Sequence, residues 1–432
     1  MYQYPFNDSH KIGVIGLGFV GLPLALLLVD KGFHVTGIDI DETKITKINK
    51  GETYLPDISN EELNSKLSSN RFHVTSDYNV VSTLDVIIIS VPTPLSENNE
   101  PNLEFLISVS NKLAPLIKKE QIFILESSTY PGTTTEIFKP ILEKSGLEVG
   151  KDIFICYSPE RIDPGNFQFS VTEIPKLISG VTKKCLLHGQ KIYEQVFQRV
   201  VPVSSTEVAE FTKLLENCYR FINISFINEL AILCDQLNID LWEAISAAST
   251  KPYGYSPFYP GPGIGGHCIP VDPLYLQWKA KESGYMNQFI KLSDEVNKTI
   301  TTYISTQIKK LLAGKENSKV LIYGVTYKKN TNDIRQSPAI DEIIPSLLKV
   351  NVNVTYTDPF IPELNICGEN FKSIKVTKEN LQNYDCVVIL TDHLDPSLDL
   401  ILEHAKLIYD TRNVTASIGN SPKIIRLGSG KN

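Results

Sequence analysis

The sequence predicts an α/β protein with two Rossmann-like, doubly wound domains joined by a central region of long helices. Three observations lead to this fold class. Short apolar runs alternate with helical stretches in the first half of the chain, long amphipathic helices follow, and the alternation then returns. At 432 residues the chain is also too long for one ordinary core. We therefore expect a first domain at 1–204, a central helical region at 205–314 and a last domain at 315–432.

Short β-branched runs predict buried parallel strands in both outer domains. The runs lie at 11–16, 34–40, 85–91, 122–126 and 153–157 in the first domain, and at 319–323, 353–357, 386–390 and 407–410 in the last. Both domains follow the order strand, turn, helix, strand, aspartate, with Asp39 in the first and Asp358 in the last. This shared order indicates a degenerate duplication.

Apolar residues three and four positions apart predict long helices in the central region. The first helix is expected to begin with Ser205 or Thr206 as its N-cap. Its apolar stripe comprises Phe211, Leu214, Leu215, Cys218 and Ile222. A glycine- and proline-rich insert spans 251–273, and a second helix is expected over 287–312. The residues from 428 onward are expected to form a disordered tail.

Composition argues against several classes of protein. The formal net charge of 42 − 49 = −7 disfavours a nucleic-acid partner. No apolar run is long enough to span a membrane. The seven cysteines contain no Cys-x-x-Cys pair, which argues against a structural zinc site and a disulfide framework. We expect a cytoplasmic protein that binds no metal, membrane or nucleic acid.

A glycine pattern typical of dinucleotide-binding proteins follows the first predicted strand and opens a helix. Gly16 permits a tight turn, Gly18 lets the backbone approach a pyrophosphate, and Gly21 lets the helix pack against the strand. Phe19 and Val20 complete the loop. A merely structural glycine turn is the alternative interpretation.

Asp39 ends the second predicted strand, 39 − 21 = 18 residues after Gly21. A carboxylate at this place accepts hydrogen bonds from a ribose diol. Its charge repels a 2′-phosphate, and no arginine sits beside it in the sequence. These features favour NAD over NADP as the cofactor, whereas Lys44 and Lys47 leave NADP open.

Two polar residues of the first central helix, Lys213 and Asn217, are four positions apart and therefore share one helix face, opposite the apolar stripe. A solvated face is the ordinary interpretation of such a pair. The alternative is a cationic and amide pair that stabilises a developing oxyanion. Spacing alone does not decide between the two.

A single cysteine, Cys268, lies in the glycine-rich bend at 261–273. A cysteine can add to an aldehyde, so that a second hydride leaves from a thiohemiacetal and a thioester results. The alternative is a small buried hydrophobe, against which the glycines argue because they allow close approach of a substrate. A dyad with His267 is disfavoured because sequence neighbours seldom point the same way. Asp272 either orients Cys268 or a water, or caps the following helix.

Two further motifs follow predicted strands, at the carboxyl ends where α/β sheets bind ligands. Hydroxyl side chains cluster at 127–134, including Ser128 and Thr129, and an N-cap cluster is an equally good interpretation. In the second motif Glu160 could act as a base through water, and Arg161 could face a phosphate or a sugar. A surface salt-bridge pair fits the spacing of these two residues equally well.

Taken together, these strings resemble the UDP-sugar 6-dehydrogenase family, the UDP-glucose and UDP-N-acetylhexosamine dehydrogenases. The resemblance covers nearly the whole chain, and the order and spacing of its motifs are highly specific. The motifs lie at 16–21, 39, 91–94, 128–131, 158–161, 213–217, 265–268, 272, 327–328, 333–338 and 358–359.

The resemblance implies that the first domain binds NAD, the last binds the UDP moiety, and the central helices build a homodimer or a higher oligomer. It implies catalytic roles for Cys268 as nucleophile, Lys213 and Asn217 at the oxyanions, Asp272 and Thr129 at the attacking water, and Glu160 in hydrolysis. The implied NAD contacts are Gly16, Gly18, Phe19, Val20, Gly21, Asp39, Lys44, Pro92, Thr93, Ser128, Thr129 and Lys328. The implied UDP-sugar contacts are Glu160, Arg161, Lys213, Asn217, Tyr259, Gly265, Cys268, Lys328 and Arg335. The resemblance leaves open whether Arg335 serves its own active site or a neighbouring one.

The expected substrate is UDP-N-acetylglucosamine. Plain UDP-glucose dehydrogenases often carry Ser-Pro-Glu-Phe-Leu with a further acid downstream, whereas this chain has Arg161, Ile162 and Asp163, as the N-acetylhexosamine branch does. The stretch 259–280 most resembles UDP-N-acetylglucosamine 6-dehydrogenases. We expect oxidation of C6 to UDP-N-acetylglucosaminuronate, with two NAD+ and one water, for a surface polysaccharide precursor.

Other functions remain as alternatives. The same reaction on UDP-N-acetylmannosamine, UDP-N-acetylgalactosamine or UDP-glucose differs by one or two hydrogen bonds in the pocket. A catalytically silent nucleotide-sugar-binding protein would lack the nucleophile or the oxyanion pair, and Cys268, Lys213 and Asn217 are all present. A zinc alcohol dehydrogenase lacks its ligand spacing here, and a simple two-electron dehydrogenase leaves Cys268 unexplained.

Overall fold

The computed structural model describes residues 10–55, 57–96, 98–161, 169–313, 315, 317–419 and 421–430. They fall into two compact units. Unit 1 runs to Glu216 and also includes Leu274–Gly284. Unit 2 comprises Asn217–Pro273 and the residues from Tyr285 onward. Each unit contains a parallel or mostly parallel sheet of its own, as the predicted fold class requires.

Unit 1 is doubly wound around one large sheet. Its strands are β1 Lys11–Ile15, β2 His34–Ile38, β3 Phe72–Thr75, β4 Val86–Ile89, β5 Ile122–Leu125, β6 Phe154–Tyr157, β7 Lys176–Gly180 and β8 Val200–Pro202. They lie in the order β3-β2-β1-β4-β5-β6-β7-β8. Neighbours pair in parallel except β6 and β7, which are antiparallel. The five strands predicted for this part are confirmed, and β3, β7 and β8 are additional to them.

The helices of unit 1 cover both faces of this sheet. They are α1 Gly21–Asp30, α2 Glu42–Asn49, α3 Asn60–Ser68, α4 Glu104–Leu113, α5 Lys139–Leu142 and α6 Lys183–Tyr193, with a π-helical turn at Thr133–Phe138. The four residues of β4 are fully buried and all apolar. A strand that is buried on both faces reads as a continuous apolar run, which is why the sequence pattern revealed it.

The rest of the chain contains two long helices and several shorter ones. These are α7 Thr206–Leu237, α8 Leu241–Ser249, α9 Asp272–Glu282, α10 Gln288–Leu311, α11 Ile344–Leu348, α12 Lys378–Leu381 and α13 Ser397–His404. Helix α7 begins where predicted, because the hydroxyl of Ser205 accepts a hydrogen bond from the backbone N–H of Val208 at 3.3 Å. Helix α10 confirms the second long helix, with Asn287 preceding its first turn.

Helix α7 is apolar on two sides. Leu214 is fully buried, whereas Phe211 and Leu215 of the same predicted stripe are exposed. Lys213 and Asn217 are buried as well. The interpretation of these two polar residues as a solvated face is therefore wrong. They lie on the buried side of the helix, and part of the stripe is exposed.

Unit 2 has a smaller sheet, which is parallel throughout its described strands. Its strands are β9 Lys319–Tyr323, β10 Asn353–Thr357, β13 Cys386–Ile389, β14 Ile408–Asp410 and β15 Ile424–Arg426, and β11 Glu363–Ile366 pairs with β12 Glu369–Lys372 as a separate antiparallel hairpin. The sheet order is β10-β9-β13-β14-β15. The four strands predicted for this part are confirmed.

The first turns of the two sheets are built alike. In unit 1 the backbone N–H of Leu17 donates to the carboxylate of Asp39 at 2.8 Å. In unit 2 the backbone N–H of Val325 donates to the carboxylate of Asp358, also at 2.8 Å. Each turn begins with a glycine of positive φ, Gly16 at 92° and Gly324 at 80°. This shared bonding supports the duplication inferred from the sequence.

The segment after β15 is ordered as far as it is described, so the prediction of a disordered tail is wrong for Gly428–Gly430. The carbonyl of Gly428 accepts the backbone N–H of Leu241 at 2.8 Å. The backbone N–H of Gly430 donates to the carboxylate of Asp235 at 3.1 Å. Small polar residues are typical of disorder, but these fit against the end of α7 and the start of α8.

Candidate active site

The glycine loop after β1 has room for a ligand at one position only. A Cβ at Gly16 would lie 2.4 Å from a backbone oxygen that follows β4, and one at Gly21 would lie 1.8 Å from the Gly16 oxygen. At Gly18 an added Cβ would meet nothing within 4 Å. The fold itself therefore requires the first and last glycines, whereas open space at Gly18 is what close approach of a pyrophosphate needs. Phe19 and Val20 are half-buried and lead into α1.

Asp39 and Lys44, both predicted to contact the cofactor, form an ion pair. The ammonium of Lys44 lies 3.1 Å from the carboxylate of Asp39. The same carboxylate also accepts the backbone N–H groups of Leu17 and Asp41, at 2.8 and 3.0 Å. Asp39 is therefore oriented by its own turn, and Lys44 offsets part of its charge.

The loops that follow β4 and β5 are joined at the carboxyl edge of the sheet. The hydroxyl of Thr93 donates to the carbonyl of Ser128 at 2.7 Å. Tyr275, a fully buried residue of α9, donates its hydroxyl to the carbonyl of Thr93 at 2.6 Å. Pro92 is exposed and Ser128 is half-buried. The structure thus brings together Pro92, Thr93 and Ser128, three of the predicted cofactor contacts.

Thr129 comes next in the loop after β5 and is fully buried. Its hydroxyl oxygen makes no hydrogen bond to any described residue. A buried hydroxyl of this kind suits a group that holds a water molecule.

Glu210 of α7 fixes the turn that follows Thr129. It accepts the backbone N–H groups of Gly132 at 2.7 Å and of Thr134 at 2.8 Å. Burial raises the pKa of Glu210 to about 7, against the opposing effect of these hydrogen bonds. Sequence analysis missed Glu210 because its partners lie more than 70 residues away along the chain.

Glu160 and Arg161 have separate partners. Glu160 is buried, and its carboxylate lies 2.9 Å from the ammonium of Lys176. The guanidinium of Arg161 pairs instead with Glu216, at 2.6 Å. The side chains therefore do not form a surface salt bridge with each other, and the guanidinium of Arg161 is engaged with the protein. The rest of the motif, residues 162–168 with Ile162 and Asp163, lies outside the described residues.

The side chains of Lys213 and Asn217 differ in their polar contacts. Lys213 is a buried residue, and no described residue forms a hydrogen bond or an ion pair with its ammonium. An ammonium without such a partner can interact with negative charge that develops on a substrate. The side-chain amide of Asn217 donates to the carboxylate of Asp272 at 2.5 Å, and both residues are buried.

Backbone contacts within unit 2 fix the loop that carries Cys268. The backbone N–H of Ile264 donates to the side chain of Asn297 at 2.7 Å. A Cβ at Gly265 would come within 2.6 Å of neighbouring atoms, so glycine is required there. The carbonyl of Cys268 accepts the backbone N–H of Asp272 at 2.9 Å, which joins the loop to the start of α9. Cys268 forms no disulfide and is only partly buried.

Arg335 lies beside this loop in the same chain. Its carbonyl accepts the backbone N–H of Gly266 at 3.0 Å. Burial lowers the pKa of Arg335, but pairing with Asp333 and the nearby Tyr327 and Cys268 raise it overall. A guanidinium near a cysteine favours the thiolate form. The structure therefore places Arg335 at the Cys268 loop of its own chain.

Two other predicted residues, Tyr259 and Lys328, contact different neighbours. The exposed ring of Tyr259 stacks on Trp242, with ring centroids 6.1 Å apart. The carbonyl of Lys328 accepts the hydroxyl of Thr326 at 2.8 Å, in the loop after β9. Neither contact tests the predicted ligand-binding role of the side chain, so both roles stay predictions.

Arg412 is a candidate that sequence analysis missed. Its Nε donates to the carbonyl of Leu390 at 2.9 Å. A Cβ on Gly261 would lie 2.8 Å from an Nη atom of Arg412, so the guanidinium contacts the glycine-rich insert. Its position two residues after β14, at the carboxyl edge of the sheet, is the signal that identifies it.

The described residues also bear on metals and membranes. No described helix is both long and apolar enough to cross a lipid bilayer. Among the described His, Cys, Asp and Glu side chains there is no group of three or more that could hold a metal ion. None of the seven cysteines, all of which lie in the described part of the chain, forms a disulfide.

The chain matches one protein family in three consecutive parts. Residues 10–197 match the NAD binding domain of the UDP-glucose/GDP-mannose dehydrogenase family, residues 207–299 its central domain and residues 321–417 its UDP binding domain. The open position at Gly18 and the buried carboxylate of Asp39 fit the NAD assignment.

Individual relatives agree with this match. The chain is 35% identical to a UDP-N-acetyl-D-glucosamine 6-dehydrogenase of Salmonella typhi, over 89% of this chain and 90% of the relative. It is 31% identical to a UDP-N-acetyl-D-mannosamine dehydrogenase of Methanococcus maripaludis, over 96% and 95%. A solved UDP-D-ManNAc dehydrogenase from Pyrococcus horikoshii superposes with a TM-score of 0.85 at 28% identity, over 98% of this chain and all of that one. The chain therefore belongs to the UDP-glucose/GDP-mannose dehydrogenase family, the NAD-dependent oxidoreductases that act on nucleotide sugars.

Proposed function

We propose that this enzyme oxidises C6 of UDP-N-acetylglucosamine twice, through a covalent intermediate on Cys268, to give UDP-N-acetylglucosaminuronate for a surface polysaccharide precursor. The observation that carries the proposal is the Cys268 loop. A partly accessible thiol lies near the guanidinium of Arg335, in a loop whose glycines leave no room for side chains. A dehydrogenase that stopped at the aldehyde would need no such thiol.

The first oxidation converts the C6 hydroxyl into an aldehyde. Bound NAD supplies the chemistry of hydride acceptance, once for each of the two oxidations. Lys213 stabilises the negative charge that develops on the C6 oxygen as its proton leaves, and Asn217 donates a hydrogen bond to the same oxygen. Asp272 orients the amide of Asn217, which it contacts at 2.5 Å.

The second oxidation and the hydrolysis run through Cys268. The thiolate adds to the aldehyde carbon and gives a thiohemiacetal, and loss of a second hydride leaves a thioester. Thr129 and Asp272 hold the water that attacks the thioester, and Glu160 accepts a proton from it. The buried hydroxyl of Thr129, which no described residue satisfies, supports its share in this step.

Ligand contacts divide between the two units. For NAD we propose Gly16, Gly18, Phe19, Val20, Gly21, Asp39, Lys44, Pro92, Thr93, Ser128, Thr129 and Lys328. For the UDP-sugar we propose Tyr259, Gly265, Lys328, Arg335 and Arg412, besides the catalytic residues. Arg161 is less well supported, because its guanidinium is already engaged by Glu216.

Substrate choice is tested together with the number of oxidations. Purified protein is mixed with NAD+ and a limiting amount of UDP-N-acetylglucosamine, and the NADH formed per sugar consumed is counted. Two NADH per sugar is the expected result. One per sugar means an aldehyde product and contradicts the role of Cys268. A third outcome is that this sugar gives no NADH, whereas UDP-N-acetylmannosamine, UDP-N-acetylgalactosamine or UDP-glucose gives two NADH per sugar. The proposed substrate would then be wrong, but the proposed mechanism would stand.

We also propose that the enzyme is a homodimer joined through α7. A row of large apolar side chains on one side of this helix is exposed: Val208, Phe211, Leu215, Tyr219, Phe226, Leu233 and Leu237. Their spacing of three, four and seven residues makes them one continuous stripe. Apolar patches of this length usually mark an interface with another protein chain.

Replacement of Leu215 by aspartate is expected to split the dimer, because it would bury an unpaired charge between two apolar stripes. Analytical ultracentrifugation should show the mass falling from that of two chains to that of one. Arg220→Asp is the matched control, since Arg220 is exposed on another side of the same helix. A wild-type protein that sediments as one chain would contradict the proposal directly.

The compartment follows from the cysteines. None of the seven forms a disulfide, although two of them, Cys156 and Cys185, are buried neighbours in contact. We infer a reducing compartment, the cytoplasm, on this ground.

A further inference from the structure

Three charged side chains of unit 1 and one tyrosine form a buried cluster that the proposed mechanism uses only in part. The ammonium of Lys176 lies 2.9 Å from an oxygen of Glu126 and 2.9 Å from an oxygen of Glu160. Tyr193 donates its hydroxyl to the other oxygen of Glu126. All four residues are buried. We call this set, Lys176 with Glu126, Glu160 and Tyr193, the Lys176 cluster.

Strand direction brings the Lys176 cluster to the ligand-binding edge of the sheet. Glu126 directly follows β5, and Glu160 comes shortly after β6. Because β7 runs antiparallel to β6, its first residue, Lys176, lies at the edge where β5 and β6 end. This carboxyl edge is where α/β sheets carry their ligands. Lys176 therefore joins the segment that leads to Thr129 with the segment that carries Glu160.

The energetics of the cluster argue for a use other than stability. Burial raises the pKa of Glu126 to about 7. Burial alone would lower the pKa of Lys176, but the two carboxylates raise it. Replacing buried ion pairs by apolar residues is often neutral or stabilising, so a cluster of this kind is weak evidence for a purely structural role.

The contacts of Glu160 fix its orientation. One carboxylate oxygen accepts the ammonium of Lys176, and the other accepts the backbone N–H of Arg161 at 2.6 Å. The ammonium also lies over two aromatic rings, 5.5 Å from the centroid of Tyr193 and 5.4 Å from that of Phe197. A carboxylate bonded on both oxygens has little rotational freedom, and both donors favour its ionised form.

We propose that Lys176 is the positioning residue for Glu160: it keeps this carboxylate ionised and oriented to accept a proton from the water that hydrolyses the Cys268 thioester. The inference rests on the proposed function, because Glu160 has this task only if a thioester forms. Lys176 itself touches neither substrate nor water in this proposal and acts through Glu160.

The step balances without any further reactant. The water oxygen bonds to the thioester carbonyl carbon while Glu160 accepts one proton from the water. The carbon–sulfur bond then breaks and its electron pair leaves with the sulfur. The Cys268 thiolate takes the proton of the new carboxylic acid and becomes a thiol again, and Glu160 releases its own proton to solvent. The products are the uronate and free enzyme. General bases of this kind typically contribute ~10²–10⁴-fold to the rate.

Lys176→Met is expected to slow thioester hydrolysis on the order of a hundredfold. The kcat and the KM for the UDP-sugar should then fall together, so that kcat/KM stays within about threefold of the wild-type value. Because acylation continues, the thioester should accumulate on Cys268. Rapid mixing should then show a burst of about two NADH per active site before a slow steady state. Mass spectrometry of the intact protein, quenched during turnover, should show the added acyl group.

Tyr193→Phe is the matched control. It removes the hydroxyl bonded to Glu126 but leaves the contact between Lys176 and Glu160, so its hydrolysis rate and covalent occupancy should equal those of the wild type. If Lys176→Met does not fold, Lys176→Gln keeps a polar side chain without the charge and should accumulate thioester as well.

The outcomes separate the two proposals. A folded Lys176→Met or Lys176→Gln protein that turns over without accumulating thioester overturns the role of Lys176. The role of Lys176 is also overturned if the variants lose folded protein while the folded molecules carry no more thioester than the wild type. That result would indicate a structural role for Lys176. A wild-type protein that forms only one NADH per sugar overturns the proposed function itself.

Discussion

Cys268→Ser is expected to stop the reaction after the first oxidation. A serine hydroxyl near neutral pH is a much weaker nucleophile than a thiolate, and no described histidine is assigned to activate it. Uronate formation should fall on the order of a thousandfold or more, as it does when a nucleophile is removed from other enzymes. NADH should fall from two to at most one per sugar. The fold should be retained, because sulfur and oxygen differ little in size at this partly exposed position.

Cys367→Ser is the control for this experiment. Cys367 is an exposed free cysteine of unit 2, in the turn between β11 and β12. Its replacement should leave both the rate and the stoichiometry unchanged. If the Cys268→Ser protein still made uronate at the wild-type rate, the covalent mechanism would be wrong.

Lys213→Met is expected to lower kcat by about 10²–10³-fold, the usual cost of removing one oxyanion donor, ~2.7–4 kcal/mol. The KM for the UDP-sugar should change little, because the charge it stabilises develops only in the transition state. The melting temperature should stay close to that of the wild type. No described residue forms a hydrogen bond or an ion pair with the ammonium of Lys213, so its removal breaks no stabilising polar contact in the described part of the chain.

Loss of activity without loss of stability is the diagnostic feature. Lys309→Met serves as the control, since Lys309 is a half-buried lysine of α10 bonded to Ser346. It should leave kcat unchanged. A Lys213→Met protein that melts at a clearly lower temperature and loses activity only in proportion to its folded fraction would show that Lys213 is structural.

The predicted strands could be identified because each of them is a short run rich in apolar or β-branched residues. The fully buried run of β4 is readable without knowing its neighbours. In contrast, β7 begins with a charged residue, Lys176, whose partners lie 50 and 16 residues away along the chain. Nothing in the local pattern distinguishes such a lysine from one on the surface.

The same limit explains the errors on α7. Periodicity identifies a helix and its apolar side, but this helix has apolar residues on two sides. Burial of Leu214 and exposure of Leu215 are decided by what packs against each side. A charged residue within an apolar pattern is ordinarily interpreted as exposed to solvent. The burial of Lys213 was therefore not predicted, and Glu210 was not recognised as a functional residue. The motif residues themselves were recognisable because their order along the chain is distinctive, although their roles stay predictions.

The turn that ends at Asp39 has a consequence for the redesign of cofactor preference. Acceptance of NADP would require removal of this negative charge, which repels a 2′-phosphate. However, the same carboxylate accepts the backbone N–H of Leu17 at 2.8 Å within the fold. An apolar replacement would leave that buried donor without an acceptor, at a cost of about 1–3 kcal/mol. Any exchange that changes the coenzyme must therefore retain a neutral acceptor, as Asp39→Asn or Asp39→Ser does, so coenzyme choice and the integrity of the first turn must be redesigned together.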